Sequence, residues 1–339
     1  MNEKTVVSSI KAETNASQLG LTVAPRQIRR TFMDFDLALD LEHLEADIAI
    51  LGLPYGDSYN IDEVTNDQTN APTAIRQASR RISGGLERWD FDVGSTLLHG
   101  KPVRVVDCGD VPGDARDLCR HYSRAEKATR LILRAGAFPI VLGGDHGVSI
   151  PVLRAFEGRG QITLIQIDAH LDWIDNKHGV REGYSSPIRR ASEMDHIGEI
   201  FQIGLRCQGS ARREEVEAAT AYWAHLITDL ELQDLGMDHV LAQIPDDGSY
   251  YLTIDADGLD PSVMPAVAGP APGGVTYPQA RKLIHSLVAK GRVVGMDIVE
   301  ITPKCDVNQI TAITGMVMDR SEPKLPRAAR QPVTRVRSS

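Results

Sequence analysis

Three short segments of the chain carry carboxylates and imidazoles at spacings that suit metal chemistry. They are Gly143-Gly144-Asp145-His146, Asp168-Ala169-His170-Leu171-Asp172 and Asp255-Ala256-Asp257-Gly258-Leu259-Asp260-Pro261. Each closes an apolar run that reads as a strand. In extended backbone, residues i, i+2 and i+4 point the same way, so Asp168, His170 and Asp172 can face one centre, and Asp255 and Asp257 repeat the device. His146 follows paired glycines, whose missing side chains let a strand end approach a crowded site. With Asp145 and Asp260 set aside, two histidines and four aspartates remain, a set that suits two divalent cations sharing bridging carboxylates. Such a pair makes hydroxide from water near neutral pH. Each segment alone has a bland reading as a helix cap, a solvated loop or a hydrogen-bonded core histidine. Three of them at one edge of one sheet point to a metal centre.

Charge then restricts the substrate. Four aspartates contribute −4, two divalent cations +4, a bridging hydroxide −1 and Glu300, which closes the run from Val293 at the same edge, −1, leaving about −2. A phosphate ester would be repelled there, and a two-metal phosphatase would show compensating Arg or Lys. A cation fits better. Glu300 is placed to receive a planar, multi-donor cation such as guanidinium through charge-assisted bidentate bonding.

Positioning these groups requires a sheet. Apolar runs over 47–54, 103–111, 137–143, 162–168, 200–205, 250–254 and 293–298 are rich in Val, Ile and Leu and lack two-residue alternation, as strands buried on both faces do. Helical periodicity over 73–82, 123–135, 148–156, 213–224 and 277–289 alternates with them. Alternation of this kind predicts an α/β protein, with a parallel sheet between two helical layers and ligands at the carboxyl ends of the strands. One domain is expected over residues 21–320, between a flexible segment 1–20 and a flexible basic tail 321–339.

With 339 residues, 42% hydrophobic and 24% charged, the composition is that of an ordinary globular protein. The net charge of −9 argues against nucleic acid as a main partner. No run approaches ~18 consecutive apolar residues, so no membrane span is predicted. The first 20 residues lack the apolar core of a secretory signal, and cytoplasmic residence is the expectation. The cysteines, at 108, 119, 207 and 305, have no metal-binding or redox spacing and are expected to be buried free thiols.

The GGDH, DAHLD and DADGLDP segments resemble the three signatures of the ureohydrolase family, which comprises arginase, agmatinase and related guanidino-acting enzymes. The resemblance extends to Leu51-Gly52-Leu53-Pro54-Tyr55, Ala74-Ile75-Arg76-Gln77-Ala78-Ser79, Ile203-Gly204-Leu205-Arg206 and Asp297-Ile298-Val299-Glu300. It implies a single three-layer α/β/α domain with a mostly parallel, arginase-like sheet of eight strands. It also implies one metal held by His146, Asp168, Asp172 and Asp255 and another by His170, Asp168, Asp255 and Asp257, with Asp168 and Asp255 bridging. Asp172 would move a proton to the leaving amine, Glu300 would hold the guanidinium, and Asp145 and Asp260 would orient ligands. The default metal is Mn²⁺, with Ni²⁺ the alternative, because His/Asp sites discriminate weakly among first-row ions. Histone deacetylases share the fold, but their single-metal site lacks counterparts of His146 and Asp172.

The resemblance also frays. The family's catalytic His-Gly pair after the DAHxD strand is matched by His178-Gly179, whereas gapless counting from Arg189-Arg190-Ala191 puts Tyr184 in that place. His178 is favoured as the catalytic and substrate-contacting group, with Tyr184 the rival. The family's Thr-containing segment after the aspartate motif is here Ala266-Val267-Ala268-Gly269-Pro270, and the loop before the AIR helix is Asp67-Gln68-Thr69-Asn70-Ala71-Pro72. Asp57, Tyr59, Asn60, Asp62 and Glu63 either line an entrance suited to a second positive charge or are solvated loop groups. The expected activity is agmatinase-like hydrolysis of a guanidino C–N bond to urea and an amine. Guanidinobutyrate, free guanidine or a biguanide such as metformin are alternative substrates, and a non-catalytic subunit assisting an active paralogue is a second reading. The resemblance implies a homo-oligomer, trimer or hexamer, or a hetero-oligomer with a paralogue.

Overall fold

The computed structural model describes residues 31–56, 59, 67–83, 85–112, 117–209 and 211–318. The segments 1–20 and 321–339, together with Asp57, Asn60, Asp62 and Glu63, lie outside them.

Among the described residues the strands are β1 (Asp36–Leu37), β2 (Ile48–Leu53), β3 (Trp89–Asp90), β4 (Ser95–Thr96), β5 (Val105–Asp110) and β6 (Phe138–Gly143). β7 (Ile162–Ile167), β8 (Ile197–Leu205), β9 (His225–Thr228), β10 (Ser249–Asp255) and β11 (Arg292–Val299) follow. Nine of them form one sheet in the order β1-β5-β2-β6-β11-β10-β7-β8-β9, and every pairing in it is parallel. β3 and β4 make a separate antiparallel hairpin. Eight strands were expected. The seven apolar runs supply seven of the nine, and β1 and β9, whose two and four residues are too short to give a hydrophobic run, supply the other two.

The helices are α1 (Ala71–Ser79), α2 (Leu118–Arg134), α3 (Ser149–Arg154), α4 (Pro187–Ala191) and α5 (Arg213–Ala221). α6 (Asp229–Leu235), α7 (Met237–Gln243), α8 (Tyr277–Lys290) and α9 (Ile310–Met318) complete them. Alternate strand residues feed two cores. Ile48, Ile50, Ile140, Leu142, Ile254 and Ile298 pack on one face with α1, α7, α8 and α9. Ala49, Leu51, Val141, Leu164, Tyr251 and Val299 pack on the other with α2, α3 and α4. Burial on both faces is why the strands read as continuous apolar runs. α8 begins with a capping box, Thr276 and Gln279 satisfying each other's backbone N–H groups.

The expectation for the cysteines holds only for Cys108, which is buried in β5. Cys119, Cys207 and Cys305 are exposed on α2 or in loops, where apolar patterning does not reach.

Candidate metal centre

The four neighbouring strands β6, β11, β10 and β7 bring their carboxyl ends together, and each delivers candidate groups just past its last residues. After β6, a turn capped by Asp145, whose Oδ1 accepts the Gly147 N–H, presents His146. After β11 comes Glu300, held by its N–H to the Gly144 carbonyl at 2.8 Å. Two glycines make this convergence possible. A Cβ on Gly144 would lie 1.7 Å from the Tyr55 carbonyl oxygen, and one on Gly258 would lie 2.5 Å from the Asp168 nitrogen. Backbone therefore packs on backbone at both places.

The backbone route differs from the extended geometry expected for 168–172. β7 ends at Ile167, and Asp172 sits in the left-handed region at φ 53°. Glu300 also has positive φ, at 65°. Non-glycine residues held in this region cluster at functional sites. Asp172 reaches the cluster by a bend, not by strand alternation. Past β10, Asp255 accepts the Asp257 N–H on Oδ1 and caps the short turn that turns Asp257 inward.

Distances define two groupings. His146 Nδ1 stands 3.2 Å from Asp168 Oδ2, 3.0 Å from Asp172 Oδ2 and 3.2 Å from Asp255 Oδ2. His170 Nδ1 stands 3.4 Å from Asp168 Oδ1 and 3.1 Å from Asp257 Oδ2. Asp168 thus turns one oxygen to each histidine, while Asp255 faces His146 alone. Of the two carboxylates expected to bridge, only Asp168 spans both groupings.

The donor set fits cations. His146 Nδ1 and Asp172 Oδ2 are buried yet make no hydrogen bond, although oxygens surround the nitrogen. Orphaned polar atoms facing one point are what an ion would satisfy. Behind them, His146 Nε2 lies 3.0 Å from Thr253 Oγ1, which donates to Asp297 Oδ1 at 2.6 Å; Tyr251 donates to the other Asp297 oxygen at 2.7 Å. This relay leaves Nδ1 as the open nitrogen. Gln202 donates to Gln166, and Gln166 to Asp168 Oδ2, each at 2.6 Å.

Electrostatics agree with that fit. Burial opposes charge on His146, but the carboxylates of Asp168, Asp172 and Asp255 outweigh it and raise the ring well above its ordinary value. His170 is likewise pushed up to about 12 by Asp168 and Asp257 against the effect of burial. Asp172 is raised to about 7 by burial and by the Asp168 charge, and Asp255 is raised well above the usual range by burial and by Asp257 and Asp168. Packed this tightly, the carboxylates need positive charge between them.

A cavity of about 200 Å³ opens onto the cluster, lined by His170, Asp172, Asp255, Asp257 and Glu300, with Gln68, Ile174, Lys177, Tyr184, Ser185, Gly209, Ala268 and Gly269 around them. Glu300 is buried and anchored: Oε1 accepts the His146 N–H at 2.7 Å and Oε2 accepts Gln68 Nε2 at 3.1 Å. Burial raises its carboxyl to about 7, against the pull of those two donors.

Two expectations differ from what the structure shows. Tyr184 lines the cavity, whereas His178, the residue favoured from the sequence, is exposed and does not line it. The loop passes through the left-handed region at His178, φ 54°. Asp260 uses its carboxylate to accept the Ser262 N–H in its own turn, and among the described residues no hydrogen bond joins it to a candidate ligand. Gln68, Lys177, the Gln202–Gln166 and Thr253–Asp297 relays, and the role of Arg206 were not singled out. Arg206 donates to the carbonyls of Asp257, Gly258, Leu259, Ala271, Pro272 and Gly204, clamping two site loops.

An all-parallel sheet with this carboxylate–imidazole edge and a cavity over it defines a class of metal-dependent hydrolase folds. The Arginase family model matches residues 46–321. An agmatinase of Photorhabdus laumondii is 33% identical over 298 residues, covering 84% of this chain and 88% of that protein. An agmatinase of Escherichia coli O7:K1 is 33% identical over 291 residues, covering 81% and 85%. The crystal structure of agmatine ureohydrolase of Thermoplasma volcanium superposes with a TM-score of 0.69 at 27% identity, over 84% of this chain and 93% of that one. Proclavaminate amidino hydrolase from Streptomyces clavuligerus shares the fold, with a TM-score of 0.74 at 23% identity over 86% and 96%. The chain belongs to the arginase family, the ureohydrolases, and is a hydrolase of carbon–nitrogen bonds in linear amidines.

Proposed function

We propose that this protein hydrolyses a guanidino C–N bond to release urea and an amine, at a site built for two divalent cations. One observation carries the reading: Asp168 divides its two oxygens between two His/Asp groupings, and the buried Glu300 carboxylate lines the same cavity. The first cation would be held by His146, Asp168, Asp172 and Asp255, the second by Asp168, His170 and Asp257. When bound, two such ions lower the pKa of water towards neutrality and so supply a nucleophile. Mn²⁺ is the default and Ni²⁺ the rival, since a His/Asp donor set leaves the choice to availability.

The chain's own groups do the rest. Glu300, fixed by the His146 N–H and Gln68, keeps acceptor capacity for two guanidinium N–H groups and so orients the carbon towards the cluster. Asp172, at once part of the cluster and of the cavity wall, moves the proton from water to the leaving nitrogen. Tyr184 and Ser185 border the substrate from the wall. The volume, about 200 Å³, is below the ~300–1,000 Å³ typical of drug-sized ligands, which supports a small substrate. The relatives named agmatinase support agmatine; Val267 and Gly269, where the family carries threonines, support free guanidine or a biguanide such as metformin, with guanidinobutyrate a further alternative. Family resemblance supports a trimeric or hexameric homo-oligomer, or a mixed assembly with a paralogue.

The test is urea release by purified, metal-defined protein, with Mn²⁺ and Ni²⁺ compared across agmatine, 4-guanidinobutyrate, guanidine and metformin. Urea from at least one is expected. No urea from any, with metal shown to be bound, refutes the reading and leaves the non-catalytic subunit.

A further inference from the structure

The wall of the cavity carries a cation of its own. Lys177 lines it together with Glu300, Asp172 and Tyr184. Its Nζ lies 4.6 Å from the centroid of the Tyr59 ring and 5.3 Å from that of Tyr184, and the two rings meet edge to face at 4.5 Å. Two aromatic faces hold an ammonium in a defined place. The backbone is held too, Lys177 and Val180 exchanging N–H···O bonds of 2.9 and 3.0 Å. Of the described carboxylates, Asp172 is the one whose charge acts on Lys177. Burial draws its ammonium below the ordinary lysine value while the Asp172 charge opposes that shift, and both side chains line the same cavity.

We propose that Lys177 is a specificity-determining residue, and that the site takes guanidinium compounds whose far end carries no positive charge, discriminating against guanidino-amines of the agmatine kind. The inference rests on the reading of the cavity as a guanidinium site. With the guanidinium drawn to Glu300, the rest of a small substrate must share about 200 Å³ with Lys177. At separations inside a cavity of that size, below the Debye length of ~8 Å, salt screens little. A second ammonium is then repelled by Lys177 by an amount worth about tenfold in affinity, while a carboxylate is attracted and a neutral chain is indifferent. Ile174 and Ala268 supply an apolar wall against which such a chain can lie.

The experiment compares kcat/KM on the metal-loaded, full-length protein for three length-matched guanidines: agmatine, butylguanidine and 4-guanidinobutyrate. The wild type is expected to favour the neutral and anionic compounds over agmatine by about tenfold or more. Lys177→Gln should narrow the gap, Lys177→Glu should invert it chiefly through KM, and Lys177→Arg should retain it. If free guanidine alone is hydrolysed, inhibition of that turnover by the three compounds should rank them in the same way. Agmatine equal to or better than butylguanidine in the wild type, or an order unmoved in Lys177→Glu, overturns the inference while leaving the guanidino hydrolase intact. No urea from any guanidine overturns the underlying reading, and the inference with it.

Discussion

The imidazole of His146 is held at one nitrogen and open at the other. Nε2 is tied through Thr253 to Asp297, so Nδ1 keeps its lone pair towards Asp168, Asp172 and Asp255. Losing such a support typically reduces metal affinity 10–100-fold. Thr253→Val should therefore weaken metal retention by ~10–100-fold in a chelator competition while leaving the circular dichroism spectrum unchanged. Equal retention in the variant and the wild type would show that the relay does not orient the ring. At this scale the candidate ligands were legible, because His146, Asp168, His170, Asp255 and Asp257 all follow strand-like runs at one edge. Their supports were not, because Thr253, Gln166, Gln202 and Asp297 each look like a lone polar interruption of an apolar strand. Such interruptions are themselves a signal, since a buried polar group needs a partner. The placement of His178 and Tyr184 was beyond residue counting, because it depends on the path of the loop between them, which puts Tyr184 on the cavity wall and leaves His178 exposed.

Two element-level features set how far the site tolerates change. Gly258 packs its backbone on Asp168, where a Cβ would approach the Asp168 nitrogen to 2.5 Å, and Arg206 clamps the same loop through the Asp257, Gly258 and Leu259 carbonyls. Gly258→Ala should destabilise the fold by about 1–3 kcal/mol in urea unfolding, and should reduce metal binding as the strand ends part. An unchanged midpoint would contradict the close packing. On α2, His121 stacks on Tyr55 at 5.0 Å and is buried, with Nδ1 3.4 Å from the Pro112 carbonyl. Burial lowers its pKa to about 4, from an ordinary value of ~6.5. Between those values the unfolded chain binds the proton and the folded chain does not, so stability falls as pH drops. His121→Phe should accordingly gain about 2 kcal/mol on the wild type on going from pH 8 to pH 5. The same difference at both pH values would show that the ring titrates normally. The strands and helices that carry these features were largely readable: the runs at 137–143 and 162–168 became Phe138–Gly143 and Ile162–Ile167. Within the main sheet β1 and β9 escaped, being too short to pattern; the β3–β4 hairpin and helices α4, α6, α7 and α9 were not anticipated either.

At the scale of the molecule, the carboxyl ends of four adjacent strands, fed from two packed cores, assemble a site whose acids crowd one another. Crowding makes cation binding and folding stability one equilibrium. Stripping metal with a chelator should lower the thermal midpoint and readdition should restore it, because an ion that binds only the folded state stabilises it by mass action. A midpoint indifferent to metal would contradict that coupling. The reaction class was readable from the motifs and from charge counting, whereas the charge at the far end of the substrate was not: Lys177 enters the cavity by loop geometry, five residues past Asp172 and beside His178-Gly179, in no recognisable pattern with either. The most direct measurement of the central claim is urea release during titration of metal-free protein with Mn²⁺ and with Ni²⁺, read against bound metal per chain by elemental analysis. Activity towards a guanidine should appear with metal and level off at about two ions per chain. Full loading with no urea, or activity undiminished in the metal-free protein, would contradict it.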